Sequence, residues 1–456
     1  MNINPGIFRA YDIRGVFPDE INKEAAYRIG RAYVSYLRNN PTLEGPIQIV
    51  VSSDARGSSP ELKQELIRGI TDEDARTTVI DAGLTTTPMH YFAVNYLKAE
   101  GGVMVTASHN PKEYNGFKLS REGARPIYAG GGMEEVKNAA VRGVFETPTT
   151  RGAVEDKRIA DEYIDFLLAN IPANELRPLK VVFDCGNGMT GLFVRKLAEK
   201  LPISFEILYE EADMSFPNHE ANPLKDATLD ELRKRVKETK ADLGVAFDGD
   251  GDRIGFLTHE GVRVPSDFMT ALFASFFAAK EPGARAVYDL RSSKVVPEAI
   301  KAAGGVPLKC RVGHPFVKAL MRQEDAVMGG EVSGHSYFRS TFYAESSFFA
   351  FITCLMVLSE SGKTLKELAA PLYKYFSSGE IDMKVDNREK AIDMIAARFK
   401  YAEYVGYLDG LSVEYPDFWF NVRSSNTEPL LRVNIEGRTK KAMEMALSDI
   451  RRILGA

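Results

Sequence analysis

Three aspartates alternate with glycines in "LGVAFDGDGDRIGF": Asp248, Asp250 and Asp252, directly after an apolar run. Alternate side chains of an extended chain project the same way, and the glycines let the backbone wrap closely, so the three carboxylates can converge on one hard cation. Without a cation they repel one another. The calcium-loop pattern does not fit, because counting from Asp248 the sixth position is Arg253 instead of glycine and the twelfth is His259 instead of glutamate. Magnesium accepts few protein carboxylates and leaves room for a phosphate oxygen, which makes it the expected ion. The bland alternative is a solvated acidic turn.

A second candidate is Ser108 in "VMVTASHNPKEYNGFKLS". By local signals "SHNPKE" also reads as a helix start, with Asn110 capping, Pro111 at the first helical position and Glu113 at the third. No GxSxG elbow surrounds the serine, and the adjacent His109 is not by its position a base within reach. A serine beside a divalent ion needs no such triad, because the ion can neutralise charge on a phosphoryl group carried by the serine oxygen.

Other segments could hold an anionic or hydroxyl-rich ligand. "VRSSNTEPLLR" packs Arg423, Ser425, Asn426 and Thr427 closely, and a planar guanidinium with hydroxyl, amide and backbone donors makes an anion cradle. A ligand-free Asx or Ser/Thr turn is the alternative. "MGGEVSGHSYF" sets Glu331, Ser333 and His335 at alternate positions, where a carboxylate and a hydroxyl can accept from and donate to vicinal sugar hydroxyls. An ordinary polar hairpin explains it too. "RVGHPFVK" adds His314 and Lys318, and "NGFK" adds Lys118.

Two motifs imitate nucleotide sites. "SGKT" (361–364) lacks the earlier glycine of a phosphate loop, that position being Val357. "GNGMTG" (186–191) is a GxGxxG after a strand with Glu211 at the dinucleotide-fingerprint distance, so a nicotinamide-dependent oxidoreductase is a rival. Against it, Asp184 would set a carboxylate near the pyrophosphate, and no other segment offers a hydride-transfer site.

These residues need a framework. Apolar runs end in an aspartate three times, in "IQIVVSSDAR" (47–56), "KVVFDCGNG" (180–188) and "RAVYDLRSS" (285–293), and each leads into a helix-like segment such as "SPELKQELIRGI" or "KVVPEAIKAAG". Strand-then-helix alternation predicts three related α/β units. From about residue 370 the pattern changes: strand-like runs flank the polar loop in "EYPDFWFNVRSSNTEPLLRVNIEG", and "TKKAMEMALSDIRRIL" closes as an amphipathic helix, which predicts a smaller α+β domain. The expected boundaries are 1–152, 153–256, 257–369 and 370–456.

At 456 residues the chain is too long for one ordinary core. With 44% hydrophobic and 27% charged residues and a net charge of −5, it has nothing global that recruits nucleic acid or an anionic membrane. Cys185, Cys310 and Cys354 form no CxxC pair, which suggests neither a disulfide framework nor structural zinc and fits a reduced cytoplasm. "MNINPGIFRAYDIRG" has no signal-peptide core, and the apolar stretch Phe348 to Leu358 is short enough to read as a buried helix.

Together "TASHNP", "DGDGDR", "GEVSGH" and "RSSNTEP", in this order, resemble the α-D-phosphohexomutase family, specifically its bacterial phosphomannomutase/phosphoglucomutase branch. The opening "FRAYDIRG", "NGFK" and "FPNHEANPLK" (216–225) extend the resemblance over nearly the whole chain. It implies four domains around a central cleft, three of mixed α/β fold and a fourth, α+β, like the TATA-box-binding protein. It further implies that Ser108 is a phosphoserine and that Asp248, Asp250 and Asp252 bind Mg2+ together with its phosphate. Glu331 and Ser333 would hold the sugar with His335 in support, and Arg423, Ser425, Asn426 and Thr427 the phosphate not being transferred. Arg9, Tyr11, Arg14, His109, Lys118, Arg253 and His314 match positions lining the cleft, with Lys118 or His314 expected to move the proton. One departure is Arg291, where many relatives have lysine.

The implied reaction interconverts hexose 1-phosphate and hexose 6-phosphate through a hexose 1,6-bisphosphate that turns around between two transfers at one serine. If Glu331 and Ser333 read O3 and O4, they touch atoms of the same configuration in glucose and mannose, so activity on both is expected. Phosphoglucosamine mutases, the alternative within the family, typically read GEQSGH where this chain has Val332. A catalytically dead phosphosugar-binding protein is disfavoured, since such a copy has no need of Ser108 or all three aspartates. The expected partners are small phosphosugars, with no obligate protein partner.

Overall fold

The computed structural model describes residues 3–41, 43–147, 149–169, 171, 175–424 and 430–455. Two compact units form: Met1–Val264 with Ser333–Leu365, and Pro265–Val332 with Lys366–Ala456.

In the first unit a mixed sheet runs in the order Ile13–Val16, Tyr114–Arg121, Gly101–Val105, Ile47–Ser53, Thr77–Leu84 and Ala153–Asp156. The strand Ile47–Ser53 has parallel neighbours on both sides and helices over its faces, which is why "IQIVVSS" is an almost continuous apolar run instead of an alternating one. Because Ala153–Asp156 pairs with Thr77–Leu84, the first sheet extends past residue 152. Two covering helices, Lys23–Arg38 and Ser59–Glu73, cross at a pair of glycines. A Cβ on Gly69 would lie 2.1 Å from Tyr27 O and one on Gly30 2.4 Å from Leu66 O, so the backbones touch where no side chain fits.

A second mixed sheet follows, ordered Arg263–Val264, Ile254–Thr258, Leu243–Phe247, Leu179–Asp184 and Ile203–Leu208. Phe247 pairs with Ile254, which makes the acidic segment 248–253 the loop of an antiparallel hairpin at the end of a buried strand. The helix Ser347–Ser361 is apolar all round because it is buried all round, and Ser346 caps it by accepting from Phe349 N. Among the described residues no single helix is long and apolar enough to cross a membrane.

The second unit begins with three parallel strands, Val306–Cys310, Arg285–Asp289 and Met328–Gly330, joined through the helices Val295–Ala302 and His314–Glu324. It closes with an antiparallel sheet ordered Phe376–Lys384, Leu430–Gly437, Phe418–Ser424, Leu411–Glu414 and Tyr404–Gly406. Helices Arg388–Arg398 and Lys440–Leu454 pack on it around Ile395, Phe420, Val433 and Ile450. The expected architecture therefore holds: three α/β domains and a final α+β domain. Cys185, Cys310 and Cys354 are free and buried.

One local expectation fails. Residues 108–113 form turns leading into the strand Tyr114–Arg121, not a helix start at Asn110. Ser108 has φ +53°, outside the right-handed helical region, and the carbonyl oxygens a helix would use at Asn110 and Pro111 accept from Arg56 instead, as does Ser108 O.

Candidate active site

The acidic hairpin loop sits against the serine loop in the first unit. Asp248 and Asp250 are wholly buried and Asp252 nearly so, and one oxygen from each lies within 4.8 Å of the others. Each carboxylate is aimed by a neighbour. Asp248 Oδ1 accepts from Arg253 N at 3.0 Å, and Asp250 Oδ2 accepts from Thr87 Oγ1 at 2.6 Å. Asp252 Oδ1 is 3.2 Å from His335 Nε2. Thr87 N also donates to Asp250 O, so the start of the helix Thr87–Tyr96 holds the loop by backbone and side chain together.

Burial, with the adjacent Asp252 and Asp250, pushes the Asp248 carboxyl well up. Lys118 answers that charge: Nζ lies 2.7 Å from Asp250 Oδ2 and 2.6 Å from Asp252 Oδ2. Burial alone would lower the Lys118 ammonium, but the two carboxylates hold it well above its ordinary value. Asp250 Oδ1 is buried with no hydrogen-bond partner. Convergent carboxylates, an orphaned oxygen and a cation already drawn to two of them fit a hard divalent ion.

Ser108 Oγ donates to Asp248 Oδ2 at 3.2 Å and lies 3.1 Å from His109 Nδ1. The two loops touch so closely that a Cβ on Gly249 would meet Ser108 O at 2.6 Å. Burial, then Arg253 and Arg14, hold His109 well below its usual range. Arg14 Nη1 donates to Asn110 Oδ1 at 2.7 Å and brings a second guanidinium to the serine loop. Tyr11 is half-buried and Arg9 exposed. Ser333 Oγ lies 2.9 Å from His335 Nδ1, so His335 joins the sugar-motif serine to Asp252.

In the second unit Glu331 is buried and accepts from Gly313 N at 3.2 Å, while His314 opens the helix that follows. Arg423 Nη2 donates to Glu380 Oε2 at 2.7 Å; Arg291 Nη1 and Arg432 Nη1 each lie 3.6 Å from Glu380. Burial raises the Glu380 carboxyl, but Arg423, Arg291 and Arg432 outweigh it and hold it low. Ser425, Asn426 and Thr427 lie outside the described residues.

The structure thus gathers Ser108, His109, Arg14, Lys118, the three aspartates, Arg253, Ser333 and His335 in one unit, and Glu331, His314 and Arg423 in the other. Sequence reasoning passed over Thr87, Arg56, His219 and Glu380. For Arg56 the signal was an Asp-x-Arg that closes two of the three strand-ending apolar runs, "SSDAR" and "YDLR". The glycine fingerprint has another use. A Cβ on Gly188 would lie 2.8 Å from Gly249 O, and Met189 N donates to the same oxygen, so the close approach serves the acidic loop and leaves no space there for a pyrophosphate.

A buried carboxylate triad beside a serine, on three α/β domains with an α+β domain after them, is the layout of a phosphohexomutase. Four successive stretches match the phosphoglucomutase/phosphomannomutase alpha/beta/alpha domain I (5–131), domain II (161–261), domain III (265–376) and C-terminal domain (380–453), and the chain belongs to that family of hexose phosphate mutases. It is 40% identical over 438 residues to phosphohexose mutases of Xanthomonas campestris pv. campestris, covering 96% of each. To phosphomannomutase/phosphoglucomutase of Pseudomonas syringae pv. tomato it is 37% identical over 451 residues, covering 96% of this chain and 92% of that one. A solved phosphoglucomutase/phosphomannomutase family protein from Burkholderia thailandensis superposes with a TM-score of 0.90 at 34% identity, over 99% of this chain and 97% of that one.

Proposed function

We propose that the enzyme interconverts the 1- and 6-phosphates of mannose and glucose through a phosphoserine at Ser108 and a hexose 1,6-bisphosphate. The supporting observation is the 3.2 Å approach of Ser108 Oγ to Asp248, inside a triad with an orphaned Asp250 oxygen. Mg2+ is the ion proposed for the triad, and when bound it supplies charge neutralisation to the transferring phosphoryl group. In the first half-reaction the Ser108 Oγ–P bond breaks as phosphorus bonds to the free sugar hydroxyl, which gives up its proton while Oγ gains one; in the second the other phosphate's sugar O–P bond breaks as phosphorus bonds to Oγ, which gives up its proton while the freed sugar oxygen gains one.

Phosphate monoesters are among the least reactive substrates, with enzymatic accelerations reaching about 10^21, so positioning and charge must supply most of the gain. Here His109, 3.1 Å from Ser108 Oγ, is one proton-transfer candidate. Lys118, held between two carboxylates, is a second, and His314 stands as the third. Arg9, Tyr11, Arg14 and Arg253 line the substrate site in this reading; Glu331 and Ser333 hold the sugar ring, with His335 braced between Ser333 and Asp252. Arg423, with Ser425, Asn426 and Thr427, receives the phosphate that stays. The proposed setting is the cytoplasm, supported by three free buried cysteines.

A coupled assay on mannose 1-phosphate, glucose 1-phosphate and glucosamine 1-phosphate, primed with a trace of glucose 1,6-bisphosphate, tests the reading. Comparable rates on the first two are expected. Activity confined to glucosamine 1-phosphate overturns the substrate assignment in favour of a phosphoglucosamine mutase. Chelation by EDTA and Ser108→Ala are each expected to abolish turnover, and undiminished activity of Ser108→Ala refutes the phosphoserine.

A further inference from the structure

Arg56 is among the most deeply buried large side chains of the described residues, and none of its hydrogen bonds goes to a side chain of the acidic triad or of the sugar motif. Its guanidinium is fully used. Nη2 donates to Ser108 O at 2.8 Å and to Asn110 O at 2.7 Å, while Nη1 donates to Pro111 O at 2.7 Å and to Tyr114 O at 3.1 Å. Nε donates to Asp54 Oδ2 at 3.1 Å. Asp54 is fixed in turn by Arg56 N and by the Ser59 hydroxyl. One rigid planar group therefore binds four carbonyl oxygens spread over residues 108–114.

We propose that Arg56 is a positioning residue for phosphoryl transfer: it holds the serine loop in the left-handed turn that points Ser108 Oγ at the acidic triad. The inference rests on Ser108 being the phosphoryl carrier. The turn needs such a hold, because Ser108 has φ +53°, a conformation that non-glycine residues adopt at a cost. Its hydrogen bonds to the serine loop all go to backbone carbonyls, and its charge is paired with Asp54 beside it, which makes its role on that loop chiefly geometric. Lysine has no equivalent: a single ammonium offers three donors from one point and cannot span four carbonyls.

The same device recurs in the other two α/β domains. Asp54, Asp184 and Asp289 each stand at or just past the end of a strand with parallel neighbours on both sides. Each accepts at Oδ1 from the backbone N–H two residues on, at 3.1 Å from Arg56, 2.9 Å from Gly186 and 2.9 Å from Arg291. Each also pairs with a basic side chain: Arg56, His219 and Arg291 respectively. In every case that side chain serves a neighbouring loop or charge cluster, which makes Arg56 one copy of a repeated tool instead of an accident of packing.

The test is Arg56→Lys, assayed for kcat and KM with hexose 1-phosphate and examined by 31P NMR of the serine phosphate. A misplacement of about 1 Å costs about 100-fold in rate, so kcat is expected to fall by about that factor while KM moves by less than about 3-fold, with a shifted or broadened phosphoserine resonance. Asp54→Asn is the second variant, keeping the guanidinium and loosening its anchor; a smaller fall in kcat at constant KM is expected. A folded Arg56→Lys with native kcat and an unmoved 31P signal overturns the inference, as does a variant that loses thermal stability alone. Ser108→Ala run alongside separates the readings: if it retains activity the phosphoserine is wrong, and if it is dead while Arg56→Lys is fully active only the positioning role is wrong.

Discussion

His219 Nε2 lies 3.2 Å from both carboxylate oxygens of buried Asp184, while Nδ1 lies 2.9 Å from Glu220 O. Both ring nitrogens face acceptors, an arrangement that favours the doubly protonated imidazole. Burial alone would lower its affinity for a proton, but the bond to Asp184 and its charge raise it above the ordinary histidine value. A group whose folded value is raised contributes stability that is complete below the unfolded value and is lost as pH rises through the folded one. The melting-temperature difference between the native chain and His219→Gln is therefore expected to be largest below about pH 6.5 and to shrink at higher pH. Thermal melts across that range check it, and a difference that grows with pH contradicts it.

Lys118 neutralises Asp250 and Asp252 from inside the protein. Removing one partner of a buried ion pair costs about 3–5 kcal/mol, because the other charge is left uncompensated. Lys118→Met is thus expected to melt well below the native chain without metal, and Mg2+ is expected to raise its melting point more than it raises the native one. Differential scanning calorimetry with EDTA or with Mg2+ measures both, and equal metal-induced shifts would count against the shared site.

Gly188 distinguishes the mutase from the dinucleotide-binding reading. Because its Cβ position is 2.8 Å from Gly249 O, Gly188→Val should displace the acidic loop and lower mutase turnover at limiting Mg2+. Calorimetric titration of the native protein with NAD+ and NADP+ should give no heat of binding. Saturable nicotinamide binding that this substitution abolishes would reverse the assignment.

Glu380 is the internal anion of an arginine cluster built by Arg291, Arg423 and Arg432. If the cluster receives substrate phosphate, Glu380 competes for Arg423, and a hydrogen bond to a charged group contributes about 1.5–3 kcal/mol. Releasing part of that, Glu380→Gln is expected to lower KM for hexose phosphates by about 5-fold, a change worth about 1 kcal/mol. Steady-state kinetics read the sign directly, since a residue that merely orders the arginines gives a higher KM on removal.

Much of this was legible in the chain. Strand-ending aspartates announced three α/β domains because buried parallel strands write themselves as apolar runs, and the alternating Asp-Gly loop announced convergence because extended chains have a period of two. What stayed hidden depends on contacts between residues distant in sequence. Thr87 reaches Asp250 across 163 positions and Arg56 reaches the serine loop across more than fifty, and neither separation leaves a local signature. "SHNPKE" offered a helix-start alternative because capping signals report what a segment prefers alone, and Arg56 takes the Asn110 and Pro111 carbonyls that preference requires. The GxGxxG offered a rival in a similar way, since glycines report that something comes close and not what it is.

The three native cysteines are all interior, and burial pushes the thiol of Cys310 up to about 12 and those of Cys185 and Cys354 higher still. At neutral pH such sulfurs supply almost no thiolate to an electrophile. A single cysteine introduced on the exterior would therefore take up a maleimide dye ahead of every native one. Two of them, one in each compact unit, would report the separation of the units by energy transfer during turnover without first stripping the chain of its own sulfur.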